Sequence, residues 1–337
     1  MNAKTEGAIS EAPVDPPNQI VLSVTDMSVL YTVKGEESVP IVADVSFRLR
    51  RGEILGLVGE SGSGKSLTAL SLIDLLPTGL ARDGRVELLG RDLGPLSERQ
   101  MEAVRGAEIS MVFQDPMTGL NPVRTIGSVL SEAVRRHRKC SRAAARNAVV
   151  ETLAAVGIPS PEERFAAYPH QLSGGLRQRV MTALALINEP IVILADEPTT
   201  ALDTTIQAQI IRLLKEQTVR HQAALVLITH DLGVAAELCD RIAVMYSGRI
   251  VEEAPTTELI QSPHHPYTAA LLAAAPSFDL SHELVAIPGA PPSPFARPSG
   301  CPFHPRCPRA LDVCGTERPA LLEGDRGSRV ACWNPHV

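Results

Sequence analysis

No stretch of this 337-residue chain approaches the ~18 to 20 consecutive apolar residues that a membrane-spanning helix needs. The N-terminus also lacks the basic segment followed by an apolar one that marks a secretory signal. Any role at a membrane must therefore run through a partner. Positive charge is not in excess either. Formal net charge is −6 and the pI about 5.9, which disfavours a broad nucleic-acid surface and makes phosphate affinity a property of a local site. Missing as well is the C-x₂-C spacing of zinc ribbons and ferredoxins. Four of the six cysteines, Cys301, Cys307, Cys314 and Cys332, are separated by 5, 6 and 17 residues, so spacing alone identifies no metal. In a reducing compartment such a group more often means metal or redox chemistry than disulfides. Cys140 and Cys239 lie outside it and read as ordinary residues.

The chain does have a core, with 44% hydrophobic residues for one large domain and an appendage. Residues 59–66, GESGSGKS, fit G-x-x-x-x-G-K-S at every fixed position. An apolar run precedes them and a helical pattern up to Pro77 follows, giving strand, loop and helix. Gly59, Gly62 and Gly64 let the backbone curl and aim its N–H groups inward, and the helix adds the positive end of its dipole. A polyphosphate is the natural guest. Gly59, Ser61, Gly62, Gly64, Lys65, Ser66 and Leu67 are its candidate contacts, with Lys65 on the β- and γ-phosphates and the Ser66 hydroxyl on Mg²⁺. Upstream, Tyr31 is a candidate platform for a base.

Further along, Ser173 followed by Gly174 and Gly175 makes a second helix start ready for an anion. The apolar run 191–195 then ends in Asp196 and Glu197, which reads as a buried parallel strand with its acids at the ligand-binding edge. There Asp196 would hold Mg²⁺ and Glu197 would act as base on an attacking water. Asp203 follows in a short loop. The strand pattern 224–229 ends at His230, which reads as a γ-phosphate contact, and the strand 109–113 ends at Gln114.

Around these motifs, residues 1–19 read as a disordered leader, 20–33 and 41–50 as strands, and 84–89 as a strand edge. In the second strand Val45, Phe47 and Leu49 point inward. Residues 115–122 are rich in breakers, and 128–157 turn helical, with Ser141 as cap and Gly157 as stop. Residues 241–246 and 249–253 form a hairpin, after which Pro255 and a Thr256–Thr257 cap start a helix. From 287 the chain is Pro-rich.

The set GESGSGKS, Gln114, LSGG, ILADEP, LD and His230, in this order, resembles the nucleotide-binding subunit of ABC transporters over about residues 20–258. The resemblance implies an α/β P-loop ABC ATPase fold. Its parts are a core parallel sheet, an antiparallel β subdomain, a helical subdomain insert over about 115–188, and a Cys-rich C-terminal extension over 259–337. It further implies a head-to-tail dimer holding two ATP with Mg²⁺, each ATP between the P-loop of one chain and Ser173, Gly174 and Gly175 of the other. Gln114 would join Ser66 and Asp196 at the metal and report γ-phosphate occupancy.

More narrowly, FQDPMTGLNP, YPHQLSGG, SPHHPYTAALL and the tail resemble the oligopeptide/dipeptide importer ATPases, a branch that also includes nickel and some sugar importers. Gly119 departs from a serine common there, with little consequence expected. This resemblance implies an ATPase for di- or oligopeptide uptake, peripheral on the cytoplasmic face of the cell membrane. Its partners would be two transmembrane permease subunits, a second ABC ATPase like or unlike itself and, indirectly, an extracytoplasmic substrate-binding protein, with no nucleic acid. CPFHPRCP and ACW resemble an extension that carries a 4Fe-4S cluster, which would make Cys301, Cys307, Cys314 and Cys332 its ligands; zinc and bare thiols are the alternatives. Nickel or another solute is the alternative cargo. A soluble ABC ATPase acting on ribosomes or DNA is the alternative class, disfavoured by a single cassette and an acidic balance.

Overall fold

The computed structural model describes residues 19–32, 37–114, 119–199, 204–275, 286–324 and 327–336, with the side chains of 204 and 205 excepted. The leader before residue 19, residues 115–118 of the breaker-rich segment, and Asp203 lie outside the described residues.

Among the described residues, the strands are β1 (Ile20–Tyr31), β2 (Val39–Arg50), β3 (Ile54–Val58), β4 (Leu80–Leu88), β5 (Arg91–Asp92), β6 (Ile109–Val112), β7 (Val192–Asp196), β8 (Ala224–Thr229), β9 (Arg241–Tyr246), β10 (Arg249–Pro255), β11 (Leu322–Glu323) and β12 (Arg329–Val330). They form an antiparallel sheet ordered β2-β1-β4-β5 and a larger one ordered β11-β12-β10-β9-β3-β8-β7-β6. In the larger sheet β6, β7, β8, β3 and β9 are mutually parallel. Strands β3, β7 and β8 are buried at every residue, as expected of continuous apolar runs covered on both faces. Parallel strands end at the same edge. The residues that follow β3, β6, β7 and β8 therefore emerge together, and these are the P-loop, Gln114, Glu197 and His230.

In the antiparallel sheet Val45, Phe47 and Leu49 are buried as their alternation requires. β4 begins at Leu80, earlier than Gly84 suggested. Gly84 has φ +83° in mid-strand, opposite a register shift in β1 between Thr25 and Ser28. A Cβ on Gly84 would lie 2.4 Å from the Asp26 carbonyl oxygen, so glycine here serves a bulge and not a turn.

The helical run is broken into Ile126–His137 and Arg142–Ala155. Ser141 Oγ accepts from Ala144 N–H at 3.1 Å, and Gly157 with φ +73° closes the second helix. Val149, Leu153 and Val156 are buried. Thr125, unforeseen, caps the first helix. Helix Thr256–Gln261 starts where expected but without the threonine cap, because the Thr256 hydroxyl donates to the Cys239 carbonyl at 2.6 Å. Among the described residues, no helix is long and apolar enough to cross a membrane.

Beyond residue 258 the chain returns to the core. β12 pairs with β10, Glu252 opposite Val330. Arg297 donates to the carbonyls of Pro40 and Ile41 in β2 and to Ser247 Oγ in the β9–β10 turn.

Gly84→Ala is expected to lower stability by about 1 to 3 kcal/mol more than Gly90→Ala. Both positions have positive φ, but a Cβ on Gly90 meets nothing within 4 Å. Equal melting-temperature losses would contradict the close approach in β1.

Candidate functional site

The loop after β3 is held from below. A Cβ on Gly59 would come within 2.1 Å of the Met245 carbonyl oxygen, so only glycine lets the loop lie this close to β9. Gly62 has φ +78°, also a glycine conformation. Gly248 N–H donates to the Ser63 carbonyl at 2.9 Å, tying the loop to the β9–β10 turn. The helix Lys65–Leu72 begins after Gly64, so its first N–H groups face the loop interior. Ser61 and Gly62 are exposed, while Ser66 and Leu67 are half-buried.

Lys65 is buried and folded back on the loop. Its Nζ donates to the Gly59 carbonyl at 2.8 Å and the Glu60 carbonyl at 2.9 Å, and lies 3.4 Å from Ser63 Oγ. Burial pushes its ammonium pKa down, opposed by the carboxylates of Glu197, Asp196 and Glu60.

The acids arrive as their strands predict. Ser66 Oγ donates to Asp196 Oδ1 at 2.9 Å, bringing together two of the candidate Mg²⁺ ligands. Burial pushes the Asp196 carboxyl up, the Ser66 bond and Lys65 oppose this, and the Glu197 charge adds to it. Glu197, at φ +43°, is gripped on both oxygens: Gln114 Nε2 donates to Oε2 at 3.1 Å, and His230 Nδ1 lies 3.1 Å from Oε1. The same Gln114 amide carries on Oε1 the acceptor that a cation would need. Four strand ends thus supply two bonded groups, Ser66 with Asp196 and Gln114 and His230 with Glu197, that meet where Asp196 and Glu197 adjoin in the chain.

Ser173, Gly174 and Gly175 begin a different element, the helix Gly174–Leu186, where Ser173 Oγ accepts from Leu176 N–H at 3.4 Å. The bonds that join Ser66, Asp196, Gln114, Glu197 and His230 do not include them. Tyr31 ends β1 and meets Phe295 edge to face, with ring centroids 5.6 Å apart.

Two residues were missed by sequence reasoning. Glu60 N–H donates to the Tyr267 hydroxyl at 2.9 Å, and Arg306 grips the Glu60 carboxylate. Both lie within the quoted strings SPHHPYTAALL and CPFHPRCP, yet nothing in their spacing points at a loop some 200 residues away.

The four tail cysteines are free thiols that line one small cavity with His265, Phe303 and Trp333. Backbone N–H groups point at their sulfurs: Phe303 and His304 at Cys301, Arg309 at Cys307, Leu311 at Cys314 at 3.5 Å, and Asn334 at Cys332 at 3.4 Å. Burial pushes the thiol pKa values of Cys301 and Cys307 up, and that of Cys332 up to about 11. Among the described residues, no group of three or more His, Cys, Asp or Glu side chains that could hold a metal ion is assembled.

Comparison with known proteins agrees with this geometry. Residues 42–200 match the ABC transporter family, and residues 251–314 match the oligopeptide/dipeptide transporter C-terminal region. The dipeptide transport ATP-binding protein DppD of Bacillus subtilis is 49% identical over 93% of this chain and 94% of its own length. The oligopeptide transport ATP-binding protein OppD of Salmonella typhimurium is 45% identical over 95% of each chain. Among solved structures, a dimeric post-hydrolysis state of the ATP-binding cassette MJ0796 bound to ADP and Pi superimposes with a TM-score of 0.62 at 28% identity, covering 70% of this chain and 98% of that one. The chain therefore belongs to the ABC transporter ATP-binding proteins, in the branch that carries the oligopeptide/dipeptide transporter C-terminal region.

Proposed function

We propose that this protein binds and hydrolyses ATP to power a di- or oligopeptide importer, working from the cytoplasmic face of the membrane. The observation that carries the reading is the grip of Gln114 and His230 on Glu197 beside the Ser66–Asp196 pair and the P-loop. A polyphosphate entering the loop would take over the Lys65 ammonium from the Gly59 and Glu60 carbonyls, exchanging neutral acceptors for charged ones. Tyr31 then serves as the base platform, and Asp203 belongs to the same nucleotide set.

The hard oxygens of Ser66 and Asp196, with the Gln114 amide oxygen, suit Mg²⁺. When bound, the ion neutralises phosphate charge. Glu197 receives the proton of a water whose oxygen bonds to the γ-phosphorus while the bond from that phosphorus to the bridging oxygen of ADP breaks. His230 and Gln114 fix the direction of the carboxylate, so that it acts from one position. Ser173, Gly174 and Gly175 serve the nucleotide of a second ATPase subunit, either a copy of this chain or a related one. That arrangement makes closure depend on the γ-phosphate.

Two permease subunits provide the membrane path, fed by an extracytoplasmic binding protein, and no nucleic acid takes part. Their dock is the helical layer, where a cavity of about 630 Å³ is lined by Arg124, Arg135, Arg142, Arg146 and Phe165.

In the tail we assign a 4Fe-4S cluster to Cys301, Cys307, Cys314 and Cys332. Support comes from the shared cavity and from the backbone N–H groups aimed at each sulfur, which offset part of the burial that raises the thiol pKa values.

Glu197→Gln is expected to lower MgATP turnover by about 10² to 10⁴-fold while leaving ATP binding intact; turnover at the parent rate would remove Glu197 as the base. Protein purified without oxygen is expected to contain about four irons and four acid-labile sulfides per chain. Zinc alone, or neither iron nor sulfide, would refute the cluster.

A further inference from the structure

The C-terminal tail reaches the nucleotide loop through one side chain. Arg306 lies immediately before Cys307, and only 5% of its side chain is exposed. Its guanidinium makes a two-pronged contact with Glu60, the second residue of GESGSGKS, Nη1 to Oε2 at 2.7 Å and Nη2 to Oε1 at 3.0 Å. The same group donates to the Pro288 carbonyl at 2.8 Å and the Tyr246 hydroxyl at 3.2 Å, and it lies against the rings of Tyr246 and Phe303. Around it Tyr246, Tyr267 and Phe303 are fully buried and in mutual ring contact. Tyr267 completes the hold by accepting from Glu60 N–H. Every donor of Arg306 is directed, so its rotamer is fixed and Glu60 is clamped through both side chain and backbone.

A carboxylate at this place is a liability for a polyphosphate site. It lies near enough to the Lys65 ammonium to act on it electrostatically. Left unpaired, it would compete with phosphate for Lys65 and repel the incoming anion, in a partly buried setting where solvent screens little.

We propose that Arg306 is a positioning residue of the ATP site: it cancels the Glu60 charge and holds that carboxylate off Lys65, so that the fold of the cysteine-bearing tail sets the affinity of the P-loop for polyphosphate. A merely structural staple between tail and core would leave KM for ATP unchanged when Arg306 is replaced. The inference rests on the ATPase reading above and adds to it a dependence of nucleotide affinity on a residue outside the nucleotide-binding motifs.

The test is steady-state MgATP hydrolysis by the full-length chain in wild type, Arg306→Gln, Arg306→Lys and the double variant Arg306→Gln/Glu60→Gln. Arg306→Gln is expected to raise KM for ATP about tenfold with kcat within about twofold, the mark of lost ground-state binding. Arg306→Lys keeps the charge but not the fork, and should fall between the two. The double variant removes the acid that Arg306 restrains and should return KM to within about threefold of wild type.

An unchanged KM in Arg306→Gln overturns the proposal, as does a raised KM that Glu60→Gln fails to lower. Should Arg306→Gln not fold, Glu60→Gln alone decides: it leaves the Arg306 charge uncancelled beside the loop and is expected to lower KM, whereas a raised KM overturns the proposal. Absence of hydrolysis in the wild-type chain would instead count against the ATPase reading itself.

Discussion

The contact on which the site depends is the one between Gly59 and the Met245 carbonyl, where a Cβ would come within 2.1 Å. It presses the start of the P-loop onto β9. With the Gly248 bond to Ser63, it fixes the loop to the β9–β10 turn. Ser247 and Gly248 both have positive φ there, at +46° and +81°, as a tight two-residue hairpin turn requires. Through this turn and its strands the loop is braced against β2 by Arg297 and against the tail by β12 and Arg306. The phosphate cradle is therefore a place where both sheets and the tail converge. Such bracing holds the loop in shape before any ligand arrives.

Much of the placement of the candidate site was legible in the sequence because its residues sit at the ends of apolar runs. Asp196 ends one wholly buried strand, Glu197 follows it and His230 follows another, and a parallel sheet leaves no choice about which edge they reach. What periodicity did not convey was long-range pairing. Gly84 reads as the start of a strand, but it lies in mid-strand opposite the bulge that Asp26 and Met27 make in β1. Thr256 looked like a cap, but its hydroxyl serves the Cys239 carbonyl. In each case the deciding partner is remote, and single-sequence patterns carry no trace of it.

Charge follows the same logic. The chain is acidic overall, yet the phosphate site collects a buried lysine, helix N–H groups and an arginine brought in from the tail. Each acid at the edge has a partner: Asp196 has Ser66, Glu197 has Gln114 and His230, and Glu60 has Arg306. Anionic residues are thus tolerated beside an anionic ligand, because each is tied to a donor that sets its direction.

Ser66 and Asp196, hydrogen-bonded directly to each other, are proposed to hold the Mg²⁺ that accompanies a bound nucleotide. Calorimetric titration of ATP into the wild-type chain and into Asp196→Asn, each with and without Mg²⁺, tests it most directly. The account predicts that Mg²⁺ tightens ATP binding to the wild type by about tenfold or more and that most of this gain is lost in Asp196→Asn. The same Mg²⁺-dependent gain in both proteins would contradict it.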